Sequence, residues 1–596
     1  MFDVILSGGT IYDGSGSPGK VADIAIKDGV IAEIGYLTDA ASRSRIDVSG
    51  KAVVPGFIDM HSHADCSVPM WPDMESTLGQ GITTCFAGHC GMGVAPVSNY
   101  WIEQCFESRA FDALIPQFSG GPIPGTGRIV QTKELRPAFQ KVYGETLDWG
   151  SFSEYLAHLK RVGHGANLVI NVGHSQLRQQ FLGNNARRAA TSSEIVQMCN
   201  ELEQALLAGA SGISFGFDYD SSMYAEEDEL LALMCVARRH NAIVTAHMQT
   251  GPERRGKINE AFTIEDGFRE FLDLGLKSGA HIHISHIYTL YDIPDGPNAD
   301  SEAKAAVETA LNLIESYREK GVHVTWDYLG TQPAACFFFP QLATRFRPYV
   351  DECGGIHSFV KSLQNAAYRT YVSEEILAGG HRAVSPFASM NKSAGARWGE
   401  NLIIHGCKDS ALIGHSIGEI ADQHNKNCVD TALDILCMDP DTMCDRKRHT
   451  NPPEGHYYVL DEGMSFGTDN GCHNYGFCER SGKDMPAIFG TPTEFSGMIE
   501  YFNTFRELPF EAIIKRMTGN AALAIGLTDR GFLRQGMRAD IVVLDRSQLR
   551  SNLDPAHPGT APDGVDSVFV NGILSVAHKK HLHPRAGAVI CQKENR

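Results

Sequence analysis

No window of about 18 consecutive apolar residues occurs in the chain, so nothing in it reads as a helix that crosses a bilayer. Met1 runs directly into an alternating segment, Val4 to Tyr12, without the basic and then apolar stretches of a secretory leader. Positive charge is scarce as well. There are 52 Lys plus Arg against 71 Asp plus Glu, a net charge of −19, and no Lys/Arg stripe that could neutralise a phosphate backbone. Neither nucleic acid nor membrane is therefore an expected partner. The 15 cysteines are an odd count, contain no Cys-x-x-Cys and are scattered from Cys66 to Cys591. That usage fits a reducing, cytoplasmic compartment in which most thiols are small buried hydrophobes.

What is present is ample core material. With 43% hydrophobic and 21% charged residues over 596 positions, the chain is globular, and its length allows either several modules or one enlarged catalytic body. Both ends read as short strands around turn signals. Near the start Asp28-Gly29 separates Ala22–Lys27 from Val30–Ile34, and near the end Asn571-Gly572 follows Val568-Phe-Val. These two β-rich ends are expected to form one small β-sandwich domain.

Between them the texture is β-α alternation, the pattern of a parallel sheet. Eight strand candidates are legible: Val53–Met60, Ile82–Ala87, Asn167–Val172, Gly212–Gly216, Ile243–Ala246, His281–Ser285, Val322–Asp327 and Met464–Thr468. Eight is the number that closes a (β/α)8 TIM barrel. Helix signals lie between them: a capping box at Thr191-Ser-Ser-Glu194, a second helix opened at Ser301 and closed at Gly321, and a third begun at Pro509. The expected division is residues 1–56 and 530–596 for the β domain and 57–529 for the barrel, with insertions at 98–144 and 330–462.

Gly56-Phe-Ile-Asp-Met-His61-Ser-His63 places two histidines two residues apart at a strand end, where period-two alternation points both the same way. Other strands end in metal-ligand residue types too: Gly88-His89-Cys90-Gly91, Thr245-Ala-His247, Ile284-Ser-His286 and Gly467-Thr-Asp469. In a closed barrel His61, His63, Cys90, His247, His286 and Asp469 would face one cavity. Taken singly each has an ordinary reading: Cys90 as buried filler, His247 and His286 as hydrogen-bonded core residues, Asp469 as a turn cap. Taken together, chance is the poorer explanation.

The segments Val53-Val-Pro-Gly-Phe-Ile-Asp-Met-His61-Ser-His63, Gly81-Ile-Thr-Thr-Cys-Phe-Ala-Gly-His-Cys-Gly91, Gly212-Ile-Ser-Phe-Gly-Phe-Asp-Tyr219, Thr245-Ala-His-Met248, Ile284-Ser-His286 and Gly467-Thr-Asp-Asn-Gly471 resemble the amidohydrolase superfamily. Within it they resemble the N-acyl-D-amino-acid deacylase (D-aminoacylase) family. The resemblance implies a tight zinc site at Cys90, His247 and His286. It also implies a weaker second site at His61 and His63, with Cys90 able to bridge, and Asp469 as the catalytic general acid-base among the metal-site residues. It implies hydrolysis of the linear amide of a small N-acyl substrate, and it leaves a homo-oligomer open. No Lys ends the fourth strand, which argues against the alternative of a cyclic amide or imide hydrolase of the dihydropyrimidinase or dihydroorotase type. An inactive scaffold is the other alternative, and the presence of all six site residues argues against it.

The departures from the family fall on substrate recognition. Tyr288 stands where a Lys is usual, Gln249-Thr250 replaces Arg-x-Glu, and Cys472-His-Asn-Tyr-Gly replaces basic residues. Tyr219, Arg178, Tyr288 and His89 are the candidate substrate-binding residues. Arg254 and Arg255 are weaker ones, and His174 is placed at the pocket wall. His281 and His283 read as barrel-interior or helix-packing residues.

Overall fold

The computed structural model describes residues 1–95, 97–98, 101–102, 105, 111, 114, 117–118, 130, 132–183, 186, 188–219, 221–249, 264–287, 297–329, 342–377, 399, 402–446, 453–475, 508–552 and 561–591. The two chain ends meet in a nine-stranded sheet. Ala52–Pro55 lies parallel to the opening strand Phe2–Ile11 and antiparallel to Ile541–Leu544, with Val54 opposite Val542. Leu6, Ile24, Ile26, Val53, Ile541, Val543 and Phe569 form this sheet's own apolar core.

The stretch expected as one strand over Val53–Met60 is two strands. Ala52–Pro55 belongs to the β sheet and Phe57–Ser62 to the barrel, and the chain changes sheets at Gly56. A side chain there would collide with Thr83, whose Oγ1 lies 2.0 Å from the position of a Cβ, so glycine is what lets the two sheets approach.

The barrel follows in chain order through Phe57–Ser62, Ile82–Ala87, Asn167–Ile170 with Val172–Gly173, Gly212–Gly216, Ile243–His247, His281–Ile284, Val324–Leu329 and Ser465–Gly467. Successive strands pair in parallel. The ring closes between its last and first members: Asp469 N–H donates to the His61 carbonyl at 2.7 Å and His63 N–H to the Asn470 carbonyl at 2.7 Å. The third strand is interrupted at the buried Asn171, whose amide bonds Thr245 and Ser211.

The outer helices form where capping and periodicity place them. Ser192–Ala208 starts at the reciprocal Thr191/Glu194 capping box and buries Ile195, Met198, Leu202 and Leu206. Ala299–Arg318 begins two residues before the expected Ser301, and Phe510–Met517 follows Pro509.

The second insertion is more than a loop. Among its described residues, helices Ile356–Ser362, Ala366–Leu377, Ile417–His424 and Cys428–Met438 join an antiparallel pair, Leu402–Gly406 with Met443–Arg446. They enclose a separate core of Leu342, Phe346, Phe359, Leu402, Ile404, Leu433 and Leu436. Pro453–Leu460 returns to the barrel, where Tyr458 packs on Trp326 and Tyr328. No described helix is long and apolar enough to cross a membrane.

Candidate metal centre

All six strand-end residues meet at the C-terminal mouth of the barrel. The ligand-type atoms of His61, His63, Cys90 and Asp469 lie within 4.8 Å of one another, as do those of Cys90, His247 and His286. Cys90 belongs to both groups. Its Sγ is 3.3 Å from His61 Nε2 and 3.4 Å from His286 Nε2. His247 Nδ1 lies 2.8 Å from His286 Nε2, and one Asp469 oxygen faces both His63 Nε2 at 2.9 Å and His61 Nε2 at 3.2 Å.

Local backbone geometry aims three of these groups. Cys90, His286 and Asp469 have φ of +58°, +35° and +55°, a left-handed conformation uncommon for residues with a Cβ. Each sits just past a strand end, where the turn swings the side chain over the barrel mouth. Such strain persists only where the surroundings impose it, and it concentrates at functional sites.

The electrostatics fit a cation. Burial alone would push the Cys90 thiol up, but His61 and His286 outweigh it and hold the group well below the usual thiol range. Burial likewise opposes charge on His63, yet Asp469 and Cys90 raise it to about 10. His247 rises to about 9 against its burial through Asp218 and Cys90. Asp469 is held well below the carboxylate range by His61 and His63 despite its burial. Nitrogen and sulfur donors thus converge in a buried volume with two anions among them. A borderline-soft divalent ion such as zinc accepts that donor set, and the residues fit it.

The remaining candidates separate. Tyr219 reaches the cluster, its hydroxyl 3.0 Å from His247 Nδ1. His89 lies beside it, its ring 4.2 Å from that of His61 and its Nδ1 3.2 Å from Ser285 Oγ. Arg178 corrects the expectation that it meets a substrate carboxylate. It is fully buried, Nη1 donates to Glu229 Oε1 at 2.6 Å, and Nη2 donates to the carbonyls of Ala186 and Arg188. Its four-residue helical neighbour His174 bonds the same Glu229 at 2.8 Å and Ser222 Oγ at 2.6 Å, so it is part of that internal network. Tyr288, Thr250, Arg254 and Arg255 lie outside the described residues. His281 and His283 point into the barrel, bonded to Thr325.

Sequence reasoning missed three carboxylates. Asp218 Oδ2 faces His247 Nε2 at 3.4 Å. Asp59 accepts from Thr468 and from the His61 backbone, and its burial raises it to about 7. Asp327 contacts His61, His283 and the His286 backbone. A signal for Asp59 existed, since residues 59, 61 and 63 share one face by period-two alternation. Asp327 had one too, since it ends the expected strand Val322–Asp327, whereas Asp218 had no comparable marker.

The amidohydrolase family profile matches residues 45–265 and 481–573. D-aminoacylase of Alcaligenes xylosoxydans xylosoxydans is 26% identical over 99% of this chain and 98% of its own length. A D-aminoacylase structure, determined to establish how one metal of its binuclear centre activates and the second attenuates, superposes with a TM-score of 0.67 at 24% identity, covering 99% of this chain and 100% of that one. N-acyl-D-glutamate deacylase from Bordetella bronchiseptica, complexed with zinc and a phosphonate that mimics the tetrahedral intermediate, superposes with a TM-score of 0.68 at 24% identity over 99% of each chain. With its eight-stranded barrel, its donor cluster at the strand ends and a profile match over more than half its length, this chain belongs to the amidohydrolase family.

Proposed function

We propose that this protein hydrolyses the amide bond of an N-acyl-D-amino acid or a related linear N-acyl compound, yielding a carboxylate and a free amino acid. The observation that carries the reading is the pair of donor groups sharing Cys90, with Asp469 set against both His61 and His63. Cys90, His247 and His286 would hold a tight zinc ion, and His61 and His63 with Cys90 a weaker second one. A bound zinc supplies Lewis-acid polarisation of a carbonyl and lowers the pKa of water towards about 7.

The chain's own groups do the rest. Asp469 takes the proton from the attacking water and returns it to the leaving nitrogen, so one carboxylate serves both halves of the reaction. Asp469 Oδ1 lies 2.9 Å from His63 Nε2 and 3.2 Å from His61 Nε2, which sets the carboxylate at the edge of the donor groups. The Tyr219 hydroxyl, anchored beside His247, offers a hydrogen-bond donor to the substrate. Tyr288 and His89 are proposed as further substrate contacts, and the usual carboxylate-binding cation is replaced by another arrangement.

The reading is tested with zinc-supplied enzyme against N-acyl amino acids of both hands, dipeptides and cyclic imides, scoring amine release. Turnover of the N-acyl-D-amino acids above the others is expected, and Asp469→Asn should lower it by about 100- to 10,000-fold with zinc retained. Preference for a cyclic imide, or near-full turnover by zinc-loaded Asp469→Asn, would sink it. Absence of any turnover together with absence of bound metal would favour a scaffold.

A further inference from the structure

The seventh barrel strand supplies no ligand to either donor group, yet its Asp327 reaches a residue of each, lying beside the His61 ring and accepting from the His286 backbone. Asp327 is fully buried. Its Oδ2 accepts from His283 Nε2 at 2.8 Å and lies 3.6 Å from His61 Nδ1. Its Oδ1 accepts from the His286 backbone N–H at 3.0 Å, and its main-chain carbonyl accepts from Ile287 N–H at 2.8 Å. One residue therefore grips, by side chain and main chain, the 286–287 segment where His286 is held at a φ of +35°.

The carboxylate is itself locked. In the neutral tautomer whose Nε2 donates to the carboxylate, His283 Nδ1 accepts from the Thr325 hydroxyl, 2.8 Å away. Thr325 Oγ1 in turn accepts from His281 Nε2 at 3.2 Å. A directional column of hydrogen bonds thus runs up the barrel interior and ends on Asp327, directly beneath the donor cluster.

We infer that Asp327 is a positioning residue of the metal centre: through its carboxylate and its main-chain carbonyl it clamps the 286–287 backbone in the conformation that aims the His286 ring at the cluster. Groups behind a metal-binding imidazole that fix its orientation tune the affinity for the metal. Two N–H donors face the carboxylate, the His286 backbone and His283 Nε2, and an acceptor-only group meets both. The amide of asparagine has one accepting and one donating end, so it must either set N–H against N–H at one of these contacts or reverse the His283 tautomer and with it the hydrogen bonds below.

The inference rests on the metal-site reading above, and its test separates the two. Zinc affinity of the full-length protein is measured by competition with a chromophoric chelator, alongside zinc content, thermal midpoint and turnover against added zinc. Asp327→Asn is expected to bind zinc about 10- to 100-fold more weakly than wild type, with turnover recovered at saturating zinc, while the midpoint of the metal-free protein reads the cost of the buried mismatch separately. Wild-type zinc affinity in Asp327→Asn overturns the inference and leaves the metal site standing. Failure of the wild-type protein to bind zinc overturns both.

If Asp327→Asn does not fold, His283→Leu decides. It keeps the carboxylate but removes the donor that pins Oδ2, and it should weaken zinc several-fold. Unaltered affinity in that variant also overturns the positioning role.

Discussion

Replacing Arg178 by Met separates two roles that one residue cannot hold at once. If Arg178 received a substrate carboxylate, its loss would raise KM and leave the fold intact. In the structure the guanidinium is spent inside the protein. It lies on helix His174–Leu182 opposite Glu229 of helix Glu227–Arg239, and both side chains are at most 1% exposed. Removing one partner of such a pair leaves an uncompensated buried charge and costs about 3–5 kcal/mol. His174 still donates to Glu229 at 2.8 Å, which limits that penalty, while the Ala186 and Arg188 carbonyls lose their donor and add to it. A loss of about 3–5 kcal/mol is the expected net.

The assay is urea unfolding followed by tryptophan fluorescence, with KM measured on the same preparations. Arg178→Met should lose that stability at nearly unchanged KM, and adding Glu229→Gln should restore at least about 2 kcal/mol of it, because the second change removes the stranded charge. The pH dependence has a defined sign. Burial raises the Glu229 carboxyl, but His174 and Arg178 outweigh it and hold the group below its ordinary value. The pair's stabilisation is therefore present above the unfolded pKa of about 4.3 and disappears as pH falls through the lower folded value. The gap between wild type and Arg178→Met should close in acid. A variant within about 1 kcal/mol of wild type whose KM has risen tenfold would refute the argument and return Arg178 to the substrate.

The shared thiol predicts an asymmetry in metal content. Cys90→Ala should abolish stoichiometric zinc because both donor groups use it, whereas His63→Ala leaves Cys90, His247 and His286 intact and should retain one ion, read by metal analysis after dialysis. Equal zinc in the two variants would contradict the sharing. Gly212→Ala should prevent correct barrel closure, since a Cβ there would lie 1.8 Å from the Ile243 carbonyl oxygen, and neither backbone can yield without breaking the strand pairing; soluble protein of wild-type thermal midpoint would count against it. His164 is buried, and burial lowers it to about 4 even though Ala166 O accepts from its Nδ1 at 2.6 Å. The unfolded chain therefore binds the extra proton between about pH 6.5 and 4, and the stability advantage of wild type over His164→Asn should shrink by roughly 3 kcal/mol across that window. A gap that stays constant with pH would show that His164 does not carry the proton linkage.

The ligand-type residues were legible because each stands at the end of an apolar run, and alternation fixes which way a strand-end side chain points. His61 and His63 needed nothing more than period two. Joining them to Asp469, 406 residues away from His63, needed only the count of eight strands, since a closed parallel barrel brings every C-terminal strand end to one mouth. The capping box at Thr191 and the two β-rich ends were readable for the same reason: they depend on neighbours within a few residues.

What the sequence could not decide depended on which side chains burial brings together. An arginine after Gln-Leu on a short helix reads equally well as a substrate ligand, and only the packing of that helix against Glu229, 51 residues on, commits it to the interior. Asp327 ends an expected strand, but its meaning lies in the His283 and His286 donors that the sixth strand and its following turn present to it. The sequence marked the second insertion only as material beyond the barrel, because its apolar residues are dispersed among short elements and its separate core exists only once those elements are folded on one another. Local periodicity and strand-end chemistry thus determined the barrel and its donor set. Long-range packing decided the partners of each charge, because a buried charge must find its counterpart wherever the fold places one.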